Sequence, residues 1–214
     1  KKIIYISSSG VYGIPKTHLI NEKTKCSPHN AYGRSKFIFE NILEDFSKKY
    51  KFKYLILRLF NVSGADKKKG FGPSINSTAI VTRIFDHIYT GKKITISKTS
   101  KANSLDGSPI RDYVHPTDVA QAILKSIKYL DKSNDNIVLN IGSGNKASSV
   151  IQIIKKIEKK LKTKIKYSFK KDSKKFVETI YPDISQAKNI INYKPKYSSI
   201  DNIINSNYKW FQKI

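Results

Sequence analysis

Residues 27–36 read Ser27-Pro28-His29-Asn30-Ala31-Tyr32-Gly33-Arg34-Ser35-Lys36 and open a run in which Phe37, Ile38, Ile42, Leu43 and Phe46 recur at helical spacing. On either side lie two short segments rich in branched residues, Lys2-Ile3-Ile4-Tyr5-Ile6 and Lys53-Tyr54-Leu55-Ile56-Leu57-Arg58-Leu59-Phe60, each with the pattern of a buried strand. A strand, a helix and a strand in this order predict a right-handed crossover between parallel neighbours, and so an α/β fold. Open α/β sheets carry their chemistry just past the carboxyl ends of the strands. Ser7-Ser8-Ser9-Gly10 and Asn61 are therefore expected at one edge of the sheet.

Tyr32 and Lys36 stand four apart, which on a helix puts both on one face. A lysine charge about 4 Å from a phenol, at an effective dielectric of about 20, favours the phenolate by on the order of 4 kcal/mol. A shift of roughly three pK units follows, and a tyrosine tuned this way exchanges protons with a substrate hydroxyl at ordinary pH. Taken alone, the pair reads more simply as a helix-start aromatic beside a solvated charge, so the functional reading rests on context.

Composition narrows the classes. The 214 residues, 39% hydrophobic, are enough for one domain or two small ones. The chain starts at Lys1, runs straight into a strand and holds no methionine, which reads as a segment whose upstream part is missing. No apolar run reaches the length of a membrane span, and no signal pattern opens the chain. The single Cys26 excludes a disulfide framework and every multi-cysteine metal site, and points to a reducing, cytoplasmic setting. His18, His29, His87 and His115 lack metal-ligand spacing, so no metal is expected. The formal charge of +25 raises the question of nucleic acid. Only four of the 41 basic residues are arginine, however, and the lysines spread over the whole chain. That is the pattern of a solvated coat, with no specific nucleic-acid partner and no membrane.

Further along, the spacing predicts helices over 78–89 and from Thr117 or Asp118 onward, with Val119, Ala122, Ile123 and Ile127 inward. Strands are predicted at 94–96, 137–141 and 165–169, and an irregular linker at 97–109. Ser149 with Gln152 forms a capping box ahead of Ile153, Ile154, Ile157 and Leu161. Gly142-x-Gly144 lacks a third glycine and reads as a turn.

Four blocks in order, Ser7-Ser8-Ser9-Gly10-Val11-Tyr12-Gly13, Tyr32-Gly33-Arg34-Ser35-Lys36, Arg58-Leu59-Phe60-Asn61-Val62-Ser63-Gly64-Ala65 and Arg111-Asp112-Tyr113-Val114-His115, resemble the extended short-chain dehydrogenase/reductase family. Within it the likeness is to the UDP-glucose 4-epimerase branch, and it continues through 139–144 and 182–188. The resemblance implies the C-terminal half of a doubly wound parallel (Rossmann) sheet with a smaller substrate-binding α/β domain. Residues 1–61 would form the rear of the NAD-binding domain and 62–214 mainly the substrate domain, with 78–91 and 117–142 as segments that could return to the first sheet. It further implies NAD as cofactor, a UDP-hexose as substrate, and a homodimer formed through the Tyr32 helix.

Roles follow from the same resemblance. Tyr32 would be the base for the sugar 4-hydroxyl, Lys36 its activator and the holder of the nicotinamide ribose, and Ser8 a hydrogen-bond partner of the 4-oxygen. Phe60 would line the nicotinamide and Asn61 contact the diphosphate. The expected activity is interconversion of UDP-glucose and UDP-galactose by transient oxidation at C4. Dehydration would need a carboxylate pair where Ser9 and Gly10 stand, and decarboxylation a glutamate that is absent there. Arg111 either contacts the substrate or pairs with Asp112 to tie a loop to the following helix. Lys92 and Lys93 stand where the family often places a phosphate-binding arginine, and Lys93 is the candidate. Ahead of Pro182 the chain has Lys170-Lys171-Asp172-Ser173-Lys174-Lys175-Phe176, which supplies charge but no bidentate fork. That departure opens the alternatives of an N-acetylated or acidic hexose, or of a non-catalytic sugar-nucleotide or polyanion binder. The glycine-rich turn for the dinucleotide is not in these residues, so the segment alone is expected to bind NAD weakly, to be inactive without its front part, and to show an unpaired sheet edge.

Overall fold

The computed structural model describes residues 1–214 except 67, 69, 75, 76, 101–103, 134, 146, 172–175, 213 and 214. In chain order, β1 (Lys2–Ser8) passes through a 3-10 turn (Ser9–Tyr12) to β2 (Leu19–Ile20), α1 (Ala31–Tyr50), β3 (Lys53–Leu59) and β4 (Asn61–Val62). Then come α2 (Ile80–Thr90), β5 (Ile94–Ser97), β6 (Ile110–Arg111), β7 (Tyr113–Val114), α3 (Pro116–Lys132) and β8 (Ile137–Ile141). The last part comprises β9 (Ser148–Ser149), α4 (Val150–Leu161), β10 (Tyr167–Lys170), β11 (Thr179–Pro182), α5 (Ser185–Ile191) and α6 (Ile200–Phe211).

The expected crossover is present. β1, β3 and β8 form a parallel sheet in that order, with Ser7 opposite Arg58, Ser8 opposite Leu59, and Leu59 opposite Ile141. β3 is the central strand, and β1 lies at an edge with no partner on its other side among the described residues. α3 and α5 pack on this sheet through a cluster that includes Leu55, Leu57, Val119, Ala122, Leu139 and Ala187. Residues 116–141 thus rejoin the first sheet. Residues 80–90 do not: α2 packs with α4, α6 and β5 in a second cluster around Ile84, Phe85, Ile94, Ile154 and Ile204.

Local signals explain most boundaries. Asn30 caps α1 by accepting from the Gly33 amide at 2.8 Å, and Lys51 closes the helix in the left-handed region. The Ser149–Gln152 capping box forms as expected. α3 is capped instead by His115, whose Nδ1 accepts from the Thr117 amide at 3.2 Å, with Pro116 in the first turn. Asp118, an expected cap, is buried and accepts from the Lys196 and Tyr197 amides and Ser198 Oγ, which anchors the segment ahead of α6. Ile127 is exposed, not inward, and on α1 only Leu43 of the periodic apolar residues is fully buried. Between the 3-10 turn and α1 lies β2, which pairs with β11. Asn61–Val62 continues as β4, which pairs with β7.

Candidate active site

At the carboxyl end of β1 the Ser8 Oγ accepts from the Gly10 amide at 3.1 Å and caps the 3-10 turn. The first turn of α1 rests on that segment backbone to backbone. A β-carbon on Gly33 would lie 2.4 Å from the Gly10 carbonyl oxygen, so the approach requires glycine. A β-carbon on Gly10 would lie 3.4 Å from Ser8 Oγ and 3.6 Å from Tyr32 Cδ1, so Ser8 and Tyr32 flank one glycine. Tyr32 is 58% exposed and open to a ligand. One turn on, Lys36 Nζ donates to the Ile6 carbonyl at 3.0 Å and lies 5.9 Å from the Tyr32 ring centroid and 5.2 Å from that of Tyr5. An ammonium has three donors, and β1 takes one, leaving the others for ligand hydroxyls.

Phe60 is buried among Val11, Tyr12, Ile20 and Ile180, so it backs the site instead of facing open space. Asn61 follows at the same sheet edge and donates from Nδ2 to the Asp112 carbonyl at 3.2 Å. With Arg111 it lines a cleft of about 320 Å³, whose walls also include Val62, Ala79, Ile96 and Tyr113. That volume suits a small ligand. Arg111 is not paired with Asp112. Its Nη1 donates to the Ile110 and Glu178 carbonyls at 2.8 Å, and its Nη2 to the Val177 carbonyl. Burial holds its pKa below the ordinary arginine value, as expected for a cation whose partners are neutral carbonyls. Asp112 accepts from the Ser143 amide at 2.8 Å and from Ser143 Oγ. Two buried hydroxyls of the cleft wall, Ser63 Oγ and Tyr113 OH, have no hydrogen-bond partner among the described residues. Leaving each unsatisfied costs about 1–3 kcal/mol, which a polar ligand would recover.

Lys93 is not brought to this cleft. It stands between the end of α2 and the start of β5, whereas the cleft uses the start of α2 (Ala79–Val81) and the end of β5 (Ile96, Ser97). A helix of this length separates the two ends by about 16 Å. Lys92 is paired with Asp86 at 3.2 Å. The lysine-rich segment ahead of Pro182 falls largely outside the described residues, at 172–175. Among the described residues no group of three or more His, Cys, Asp or Glu could hold a metal ion, and no helix is long and apolar enough to cross a membrane.

The order of these parts along the chain matches a known family over residues 1–142, two thirds of the protein. The chain belongs to the NAD dependent epimerase/dehydratase family. A UDP-glucose 4-epimerase from Streptococcus mutans is 32% identical over 98% of this chain and 63% of its own length. The crystal structure of UDP-glucose 4-epimerase from Bifidobacterium longum in complex with NAD+ and UDP superposes with a TM-score of 0.88 at 30% identity, over 100% of this chain and 64% of that one. The Brucella ovis enzyme in complex with NAD gives a TM-score of 0.91 at 27% identity, over 99% and 65%. The chain thus spans just under two thirds of the length of these family members.

Within the epimerase/dehydratase scaffold, one group of buried residues escaped the sequence reading. Glu40, 5% exposed, accepts from Arg58 Nη2 at 2.6 Å and from Nε at 3.1 Å. It also accepts from Ser7 Oγ. Burial works against the Arg58 charge, but Glu40 and Tyr12 overcome it and hold its pKa above the ordinary value. Burial pushes the Tyr12 hydroxyl up to about 12 against the pull of Arg58, so it stays a donor, to Asn140 Oδ1 at 2.6 Å. Ser63 and Tyr113 were also passed over as site residues. Both lie inside the quoted blocks, but nothing in the sequence shows that their hydroxyls lack partners.

Proposed function

We propose that this chain carries the proton-transfer and sugar-nucleotide parts of an NAD-dependent UDP-hexose 4-epimerase that interconverts UDP-glucose and UDP-galactose. The observation that supports the reading is that Tyr32 has Ser8 across Gly10 on one side and Lys36 one turn on, while Asn61, just past the end of the neighbouring strand β3, lines a cleft with Arg111. The nicotinamide end of NAD fits what the chain offers, an exposed phenol and an ammonium with donors left over. No glycine-rich turn for its pyrophosphate stands in these 214 residues. When bound, NAD supplies reversible hydride acceptance at C4 of the sugar.

The rest is done by side chains of this chain. Tyr32 takes the proton of the 4-hydroxyl and later returns it, and Ser8 Oγ holds the 4-oxygen in place. Lys36 stands beside the phenol and would hold the nicotinamide ribose, with Phe60 as the wall behind. Asn61 and Arg111 hold the diphosphate, Arg111 as a cation with carbonyl oxygens and no carboxylate for partners among the described residues. Gripping the nucleotide while leaving the hexose loose lets the 4-keto sugar present its other face.

The test is incubation of the complete protein and NAD with UDP-galactose, with products resolved by chromatography. The expected result is UDP-glucose, approaching the same mixture from either sugar. Turnover confined to UDP-N-acetylglucosamine or UDP-glucuronate would move the reading to the N-acetylated or acidic hexose. A folded protein that turns over none of the three contradicts the enzyme reading and favours a binder.

A further inference from the structure

Tyr32, Lys36 and Glu40 follow one another at four-residue steps and so share one face of α1. Each of the last two is tied to β1: Lys36 to the Ile6 carbonyl at 3.0 Å, and Glu40 to the Ser7 hydroxyl. The next residue along β1 is Ser8. Glu40 also reaches β3, where Arg58, the register partner of Ser7, meets it through both Nε and Nη2. Arg58 Nη1 then donates to Tyr12 OH at 3.1 Å, in the 3-10 turn that follows Ser8. One buried carboxylate therefore joins every element that carries a reacting group.

A buried ion pair of this kind is a poor source of net stability, because apolar residues of similar volume often serve as well. What apolar packing cannot supply is the fixed distance and angle of a forked guanidinium against a carboxylate. We infer that Glu40, held by Arg58 and Ser7, is a positioning residue that sets the register of α1 on β1, and so the placement of Tyr32 and Lys36 against Ser8. The inference rests on the proposed reaction for its kinetic consequence, since misplacement by about 1 Å can cost 100-fold in rate. The geometric consequence stands without it.

The experiment compares the complete protein with Glu40→Gln, Ser7→Ala and the charge-free double variant Glu40→Leu/Arg58→Leu, reading melting midpoint, kcat, and KM for UDP-galactose. Glu40→Gln strands the Arg58 charge and is expected to melt lower. The double variant is expected to melt near the parent while its kcat stays at least about tenfold down, with KM within about twofold because the Asn61–Arg111 cleft is untouched. Recovery of kcat along with the melting midpoint would mean that the pair is merely structural, and would overturn the inference. Should the double variant fail to fold, Ser7→Ala decides, since it removes one tie and leaves the ion pair. Lowered kcat at an unchanged midpoint supports the inference, and parental kcat overturns it. Should the parent turn over no substrate, the proposed reaction fails and the geometry is still tested by nuclear Overhauser contacts between the Tyr32 ring and Gly10. Contacts present in the parent and weakened in Ser7→Ala support the inference, and contacts of parental strength in Ser7→Ala contradict it.

Discussion

Two glycines decide how close Ser8 and Tyr32 come. The carbonyl oxygen of Gly10 occupies the space that a β-carbon at Gly33 would need, 2.4 Å away, and it is backbone that cannot swing aside. Gly33→Ala is therefore expected to lift the first turn of α1 off the 3-10 turn. The predicted cost is about 1–3 kcal/mol of stability, with at least about a tenfold loss of kcat. Thermal melts and steady-state kinetics on the same preparation check both. At the other end of the site, Arg111→Lys keeps the charge but loses the fork, so KM for UDP-galactose should rise about tenfold while kcat changes little. Tyr32 and Lys36 were singled out by spacing together with context, and Ser8, Phe60, Asn61 and Arg111 by the resemblance of their blocks. Glu40 was not, because a glutamate on a charged helix reads as solvated until its partner, 18 positions away on β3, is placed beside it. Lys93 lies outside the quoted blocks and was singled out by position alone, which carries no information about which end of a helix faces the cleft.

Most of the longer elements were readable, although α5 and β11 were not, and the two-residue strands depended on tertiary partners. β1, β3, β8 and α4 follow from periodicity and caps. β2, β4, β6, β7 and β9 are two residues each, too short to carry a period, and exist because of what lies next to them. α1 shows the opposite failure: its apolar pattern is real, yet Ile38, Ile42 and Phe46, at four-residue steps, are exposed. Such a stripe suits the homodimer expected through this helix. Ile42→Glu with Phe46→Glu should convert a dimer into a folded monomer by light scattering, and a parent that stays monomeric at tens of micromolar contradicts this. In the segment 104–108, Asp106 accepts from Ser104 and Ser108 and from Ser149, the cap of α4. Burial works against its charge, but the hydrogen bonds from Ser149, Ser108 and Ser104 prevail and hold its pKa below the ordinary value. A lowered folded-state pKa contributes stability in full above the unfolded value, about 3.9, that is lost as pH falls through the folded value. The melting advantage of the parent over Asp106→Asn should accordingly shrink as pH drops from about 5 to about 3.

At the scale of the whole molecule, a three-stranded parallel sheet positions the reacting groups and a separate apolar cluster around α2, α4 and α6 supplies one wall of the cleft. The class of fold was legible because the strand, helix, strand order admits few topologies. Of the two segments that could return to the first sheet, the one ending in β8 does and α2 does not; which of them would was not legible, since it depends on which apolar faces meet across more than 50 residues. On the proposed reading, the chain contributes a base, its neighbouring charge and a grip for the nucleotide, in keeping with the family to which it belongs. The most direct measurement is the kcat of Tyr32→Phe in the complete protein, taken with UDP-galactose and with melting behaviour matched to the parent. A fall of at least about a hundredfold, with KM nearly unchanged, is the predicted result. Turnover at the parental rate would contradict it.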